Sequence, residues 1–594
     1  MVGHHTIIHL QTAYRSLWQW RIKVAAFFDA RDFNGTSFML FLAVLIGIGG
    51  SLGAVAFREL IAFFSSFFLV TAVAWMGSPY ALPVSTGLGA LLVGFIVLRW
   101  APEARGHGVP EVMAAVATQG GRIRPRVVIV KALASALCIG SGGAVGREGP
   151  IVQIGSALGS GLGQMFRMSE EQLKILVGCG AAASISATFN APLAGALFAL
   201  EVILGDFTVG TFSPIILSSV LANAFTRYLV GNETAFVVPD YHLVSSYELF
   251  LYAGLAGLAG AVSVGFVRTL YFFEDRFDDL AISAYLKPVI GGVLIGCIGI
   301  FLPQVMGVGY ESITDVMHNR SDLMLIVVLL FVKVLATSIT LGSGGSGGVF
   351  APSLFIGAML GGTYGYGVHA LLPDLTAEPG AYALVGMAAV VAGTTHAPLT
   401  AMLILFEMTD NYLIMLPLML ATVVSTLVAK RIYRESIYTL KLSRRGLHLN
   451  KGVDVSILDS IRVHEVMDTN YDFLKSKTSL GEMVALLKNS GLTDFPVIDD
   501  DGTLKGVVSF QDIREVLTDS DLYSVLIAAD AIGEYVPSVC VDASLSEALA
   551  MFSRYDVHNL PVVKDAENQK LVGVITRYDL MRVYHKKIQD RIAS

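Results

Sequence analysis

From residue 37 to residue 430 the chain is almost continuously apolar, and the pattern changes sharply soon afterwards. Runs such as 39–54, 83–98 and 286–302 carry hardly a charge. Many of these runs fall short of the roughly 20 residues that a spanning helix needs, or are interrupted by Gly and Pro. This predicts a polytopic, all-α membrane domain over 37–440 whose helices are broken inside the bilayer, an arrangement that points to a transport site. Beyond it, short apolar strands alternate with helices, as in a water-facing α/β domain. Before it, Arg15, Arg21 and Lys23 lie among Leu17, Trp18, Trp20 and Ile22. Residues 1–36 therefore read as a cytosolic N-terminal segment, either a helix on the membrane surface or a plain leader. No cleavable signal is expected, because a clean apolar core after a basic start is missing.

The apolar domain is a duplication. Gly140-Ser141-Gly142-Gly143 through Gly146-Arg147-Glu148-Gly149-Pro150 to Gly159 recurs as Gly342-Ser343-Gly344-Gly345 through Gly348-Val349-Phe350-Ala351-Pro352 to Gly361, with ten of twenty positions identical. Lys131 and Lys333 precede the two cassettes by nine residues each. Ala191-Pro192-Leu193 and Glu201 recur as Ala397-Pro398-Leu399 and Glu407. The halves run over about 37–235 and 245–435. The residues alone leave open whether they are parallel or inverted.

A second duplication fills the C-terminus. Phe495-Pro496-Val497 recurs as Leu560-Pro561-Val562, and Gly506 to Asp512 recurs as Gly573 to Asp579. Each unit reads helix, strand, turn, strand, helix, with Asp500-Asp501-Gly502 as a hairpin signal. The units occupy 461–520 and 530–590, after a linker over 441–460.

Composition changes this picture only in part. The chain of 594 residues is 54% hydrophobic and 15% charged, with a net charge of −7. On a membrane protein that charge says little about partners, and no nucleic-acid partner is expected. Lys430, Arg431, Arg434, Lys441, Arg444 and Arg445 follow the last apolar run. By the positive-inside rule that end is cytoplasmic. Cys138, Cys179, Cys297 and Cys540 are scattered and predict neither a disulfide framework nor a metal site. No triad, HExxH or P-loop is present, so an enzyme is not expected.

The chemistry lies in the cassettes. Each is a glycine loop, a proline suited to a first helical turn, and an apolar helix. Helix N-termini carry unpaired N–H groups and partial positive charge, so two of them aimed at one place make an anion seat. Gly106-His107-Gly108-Val109-Pro110 repeats the recipe. Close helix packing is the alternative reading of these glycines. Glu148 is the sharpest single residue, since a carboxylate at membrane depth costs about 2.5 kcal/mol or more. It either pairs with Arg147 or occupies the anion seat itself and leaves when protonated, as a gate.

These motifs resemble the CLC family of chloride channels and transporters with a C-terminal pair of CBS domains. The resemblance rests on the segments 146–150, 348–352 and Ser436-Ile437-Tyr438, and it extends over the chain from about residue 37. It implies two inverted halves, a homodimer with one pore per subunit, chloride as the bound ion, and Glu148 as the gate. It further implies anion contacts from the N–H groups of Val349 and Phe350 and the Tyr438 hydroxyl. His107, Gly108, Gly146, Gly149 and, through its field, Arg147 complete the anion-binding set. Without the resemblance Tyr438 reads as an interfacial aromatic.

Two departures stand out. His107 replaces the serine usual in chloride-selective members, which bears on selectivity among chloride, nitrate and fluoride. Val202 stands where proton-coupled members carry an intracellular glutamate, with Glu201 one residue before it. Valine carries no proton, so the expectation is a passive, gated channel for small anions, with the chloride/proton antiporter of the same fold as the alternative. Glu201 and Glu407 read as structural. In the C-terminal pair, Ser509 with Asp512 and Thr576 with Asp579 resemble the CBS pattern for an adenine nucleotide, and also read simply as helix caps. Rival readings are a CBS-gated divalent-cation channel, which would need carboxylates facing the ion, and a nucleotide sensor on a membrane anchor. The compact loops fit a prokaryotic inner membrane with both termini cytoplasmic.

Overall fold

The duplication is visible helix by helix. A computed structural model describes residues 35–447, apart from 72, 75–76, 78, 232–237, 240, 242 and 410. It also describes most of 458–584, with 459–460, 490–493, 510–522, 524–525, 533–537, 556, 558 and 566–568 outside. The N-terminal segment with Trp18 and Trp20 lies outside the described residues, as does Asp512. In the first half the chain forms α1 (Gly35–Ser65), α2 (Leu82–Trp100), α3 (Val109–Thr118), α4 (Arg126–Gly140), α5 (Glu148–Met165), α6 (Glu170–Phe189), α7 (Pro192–Phe198) and α8 (Val209–Val230). In the second it forms α9 (Glu248–Asp279), α10 (Leu286–Phe301), α11 (Tyr310–Met317), α12 (Leu323–Gly342), α13 (Phe350–Leu371), α14 (Pro379–Thr395), α15 (Pro398–Thr409) and α16 (Met415–Ile432). Each helix of the first half has its twin eight places later. The short 3₁₀ turns Pro102–Ala104 and Pro303–Val305 are twins as well. So are the left-handed caps of α6 and α14, Asn190 and His396, at φ 58° and 59°.

Among the described residues, seven helices are long and apolar enough to cross a membrane. Others, including α3, α7 and α11, are far too short. They end inside the protein, where loops can satisfy the backbone that lipid cannot. The last glycine of the cassette has a plain role in each half. A Cβ on Gly159 would lie 2.1 Å from the Leu176 carbonyl, and one on Gly361 would lie 2.1 Å from that of Tyr382. Here the close-packing reading of the cassette glycines is correct: α5 meets α6, and α13 meets α14, backbone against backbone.

Two buried lysines brace the loops. Lys131 Nζ donates to the carbonyls of Ala104 and Gly106 at 2.9 and 2.8 Å. Lys333 Nζ donates to Val305 and Gly307 at 2.8 and 2.9 Å. Both side chains are fully buried. A buried ammonium is tolerable only when hydrogen-bonded, and each lysine thereby fixes the loop that starts a short helix, α3 or α11.

The expected linker begins as helix, α17 (Thr439–Arg444). The C-terminal unit contains two three-stranded sheets. In the first, β1 (Leu474–Lys475) runs parallel to β2 (Asp494–Ile498), which is antiparallel to β3 (Leu504–Ser509). In the second, β4 (Val539–Cys540), β5 (Asn559–Val563) and β6 (Leu571–Thr576) repeat that order. The predicted hairpin turns at Gly502, φ 83°. Beside it, the N–H and hydroxyl of Thr503 hold the Asp501 carboxyl below the usual carboxylate range. The two units exchange their leading segments. Leu458, Ile461 and Val463 pack in the core of the second sheet, and Ala528 packs in that of the first. The stretch expected to open the first CBS unit thus belongs physically to the second.

Candidate anion-binding site

Three glycine loops are sewn together. Gly146 N–H donates to the Gly348 carbonyl at 2.8 Å, and Gly348 N–H returns the bond to Gly146 at 2.6 Å. Gly106 N–H donates to Gly345 at 3.1 Å and its carbonyl accepts from Gly347 N–H at 3.3 Å. The twinned cassettes and the third glycine motif therefore meet at one place. The approach leaves no room for a side chain at Gly149, where a Cβ would come 2.2 Å from the His107 carbonyl oxygen. Gly108 sits at φ 81°, in the left-handed region that favours glycine.

This stitching sets α5 and α13 with their N-termini side by side. Glu148 is the first residue of α5 and only 1% exposed. Its carboxylate reaches across to the other half. Oε2 accepts from the Ala351 N–H at 3.3 Å, in the first turn of α13. Oε1 accepts from the Tyr310 hydroxyl at 2.5 Å. The carboxylate thus takes one of the N–H groups that a helix start leaves without an internal partner. The anion-occupying alternative for Glu148 matches this geometry. Arg147 is directed elsewhere: its guanidinium stands 5.4 Å from the centre of the Tyr310 ring.

Val349 and Phe350 open α13 and are fully buried. The Phe350 ring packs 5.5 Å from Phe189. Tyr438 is buried at the end of a tethered segment. Ile437 N–H donates to the Thr394 carbonyl at 2.9 Å. The Tyr271 hydroxyl donates to the Ile437 carbonyl at 2.7 Å. The His107 ring is buried 5.9 Å from that of Tyr438, and its Nε2 lies 3.5 Å from the Tyr271 hydroxyl. His107 and Tyr438 are therefore neighbours, and the departure from serine falls beside the tyrosine expected to hold the ion.

Val202 lies buried in the π-helical turn Ala199–Leu204 that extends α7. The adjacent Glu201 is committed to α15, accepting from the N–H groups of Leu399 and Thr400 at 3.3 and 2.8 Å and from the Thr400 hydroxyl at 2.7 Å. Glu407 is the mirror case, accepting from Leu193 and Ala194 of α7 at 3.0 and 2.7 Å. Reciprocal contacts of this kind are the mark of a two-fold relation between the halves.

On one side of Glu148 lies a cleft of about 260 Å³, lined by Arg58, Arg147, Asn190, Arg227 and Tyr310 among others. Tyr310, one of the residues lining this cleft, is also the one whose hydroxyl donates to the glutamate. Sequence reasoning missed Tyr310, although a signal existed. Gly307-Val308-Gly309 repeats Gly106-His107-Gly108 at a spacing of 201 residues, so α11 starts where α3 does in the other half.

In the C-terminal unit, Thr576 and Asp579 form a helix cap. The Thr576 hydroxyl donates to Asp579 Oδ2 at 2.6 Å and accepts from the Asp579 N–H at 3.0 Å. Asp579 Oδ1 pairs with Arg582 at 2.9 Å. Ser509 ends β3, opposite Asp494. Among the described residues there is no cluster of three or more His, Cys, Asp or Glu that could hold a metal ion.

The family model described as "Voltage gated chloride channel" matches residues 89–430, and the CBS domain model matches 463–519 and 529–586. A ClcB-like chloride channel protein of Ralstonia nicotianae is 37% identical over 421 residues, 68% of this chain and 97% of that protein. The H(+)/Cl(−) exchange transporter ClcA of Vibrio vulnificus is 34% identical, covering 68% of this chain and 89% of the relative. Among solved structures, a slow cyanobacterial Cl−/H+ antiporter is 28% identical with a TM-score of 0.64, covering 68% of this chain and 97% of its own.

Proposed function

This chain belongs to the voltage-gated chloride channel family, and on that premise we propose that it exchanges chloride for protons across a membrane, with Glu148 as both gate and proton carrier. The observation that carries this reading is the bond from Ala351 N–H to the Glu148 carboxylate. Glu148 and a chloride ion compete for the same oriented N–H groups at the start of α13. Protonation removes the negative charge that the helix end favours, so the neutral acid gives up the seat and an anion takes it. Each return of the carboxylate releases a proton. Neutral N–H and hydroxyl donors from Val349, Phe350 and Tyr438 hold the ion firmly enough to enter and weakly enough to leave. His107 beside Tyr438 tunes which small anion is preferred.

The passive channel expected from the sequence becomes the second reading. Val202 favours it, because no carboxylate stands there to hand protons on. Against it are the relatives named as exchangers, the Vibrio ClcA and the cyanobacterial antiporter. Water can carry protons past an apolar side chain where a polar path exists beside it. The protein would work as a homodimer in a bacterial inner membrane with both termini cytoplasmic.

The C-terminal CBS pair would take an adenine nucleotide at Thr576 and Asp579. The residues fit if one contact yields. A ribose must displace Arg582 from Asp579, and an ion pair this exposed is worth little.

The deciding measurement is the reversal potential in planar bilayers, with chloride and pH gradients varied independently. An exchanger responds to both gradients. A potential that follows chloride alone selects the channel.

A further inference from the structure

Tyr310 is unlike the other residues around Glu148. It comes from α11 of the second half, so its position owes nothing to the helix that carries the glutamate. It is half-buried, its hydroxyl donates to Glu148 at 2.5 Å, and it lines the arginine-rich cleft. Its loop is locked from behind by Lys333, which grips the carbonyls of Val305 and Gly307. Arg147 lies over its ring, close enough for a cation–π contact that withdraws electron density from the phenol and favours donation.

We propose that Tyr310 is the latch of the gate: a positioning residue that holds the Glu148 carboxylate in the anion seat from the cleft side and must release it before an ion passes. This rests on the reading of Glu148 as the gate. A hydrogen bond to a charged group is worth more than one to a neutral group, so the latch grips the carboxylate and loosens once the group is protonated. The other groups near Glu148 are the Ala351 N–H on α13, which donates to it, the buried Tyr438, and its chain neighbour Arg147, whose guanidinium lies over the Tyr310 ring. None of these replaces a donor on the cleft side.

The test is a two-residue cycle in liposomes with the full chain: parent, Tyr310→Phe, Glu148→Gln and the double variant. Chloride flux is read from pH 4.5 to 7.5. Chloride binding is read by calorimetry at pH 7.5. Tyr310→Phe is expected to raise flux at neutral pH about tenfold or more, the scale of one hydrogen bond to a charged group. Its acid activation should move to higher pH by about one unit, and its chloride affinity should rise several-fold. In the Glu148→Gln background the same change should alter neither quantity by more than about twofold, since there is no carboxylate to hold. A second variant, Tyr310→His, keeps a donor and should stay near the parent. If Tyr310→Phe matches the parent at every pH while Glu148→Gln does not, the latch is wrong and the gate stands. If Glu148→Gln matches the parent, the gate fails and the latch with it. Equal losses in both backgrounds would mean that Tyr310 is only structural, and would also overturn the proposal.

Discussion

Glu201 and Glu407 each cap a helix that belongs to the other half of the repeat. The carboxylate of Glu201 takes the N–H groups of Leu399 and Thr400, and that of Glu407 takes those of Leu193 and Ala194. Both helices start with proline, so an N–H is already missing where the caps act. Replacing Glu407 by Ala removes the acceptor from two N–H groups, that of Ala194 partly buried and that of Leu193 exposed. We expect a loss of about 1–3 kcal/mol, seen as a lower melting temperature in detergent. Glu201→Ala should behave alike, losing the Thr400 hydroxyl bond as well. Flux through whatever protein assembles should keep the parent's pH profile. A normal melting temperature with altered proton coupling would move these residues from support to transport.

Lys131 and Lys333 make a second pair. Lys→Met keeps the length of the side chain and removes the donor from the Val305 and Gly307 carbonyls at one site and from those of Ala104 and Gly106 at the other. The Ala104 and Gly106 carbonyls keep the Ser346 hydroxyl and the Gly347 N–H, so Lys333→Met should cost about 1–3 kcal/mol and Lys131→Met less. The consequences should differ by half. Lys333→Met frees the loop that leads to Tyr310, so its flux should lose part of its acid dependence. Lys131→Met frees the Gly106 loop and should alter anion preference through His107. Expression yield, thermal unfolding and flux ratios for chloride and nitrate check both.

Gly348→Ala tests the sewn loops. A Cβ there would stand 2.7 Å from the Gly149 nitrogen, and backbone cannot give way as a side chain can. Separating the two cassettes by even a few tenths of an ångström should reduce chloride flux more than tenfold; overpacking alone costs about 1–3 kcal/mol. Chloride calorimetry should lose its signal in parallel. Retained binding would mean that the two helix ends act separately.

Asp579→Ala removes both the cap and the proposed ribose partner. Calorimetry of the full chain with ATP and with AMP should show binding to the parent and at least tenfold weaker binding to the variant. Thr576→Ala should lower the stability of the C-terminal unit by about 1 kcal/mol as a lost cap. Absence of nucleotide binding to the parent would leave these two residues as a cap alone.

The site was legible where the chemistry repeats or where it offends its surroundings. The cassettes stand out because glycine and proline recur at one spacing, and Glu148 because a carboxylate is out of place among apolar residues. Tyr310 was not legible on its own, since a tyrosine between a glycine loop and a short polar helix offends nothing and its twin is Val109. The crossed caps of Glu201 and Glu407 pair residues about 200 apart, which local pattern does not reveal. The exchange of leading segments between the CBS units was hidden for the same reason: Val463 is an unremarkable apolar residue until the second sheet supplies its neighbours.

The twin helices α5 and α13 begin at matched places but have 18 and 22 residues. The extra four residues add about 6 Å, close to one full turn. They are absorbed at the end away from the glycine loops, so the side chains beyond them regain nearly the same facing. Growth at the far end leaves the shared starting point untouched. The duplicated chain could thus drift in length around its rim while the paired helix starts stayed in register, which is why a pore built from two copies need not remain symmetric to remain closed.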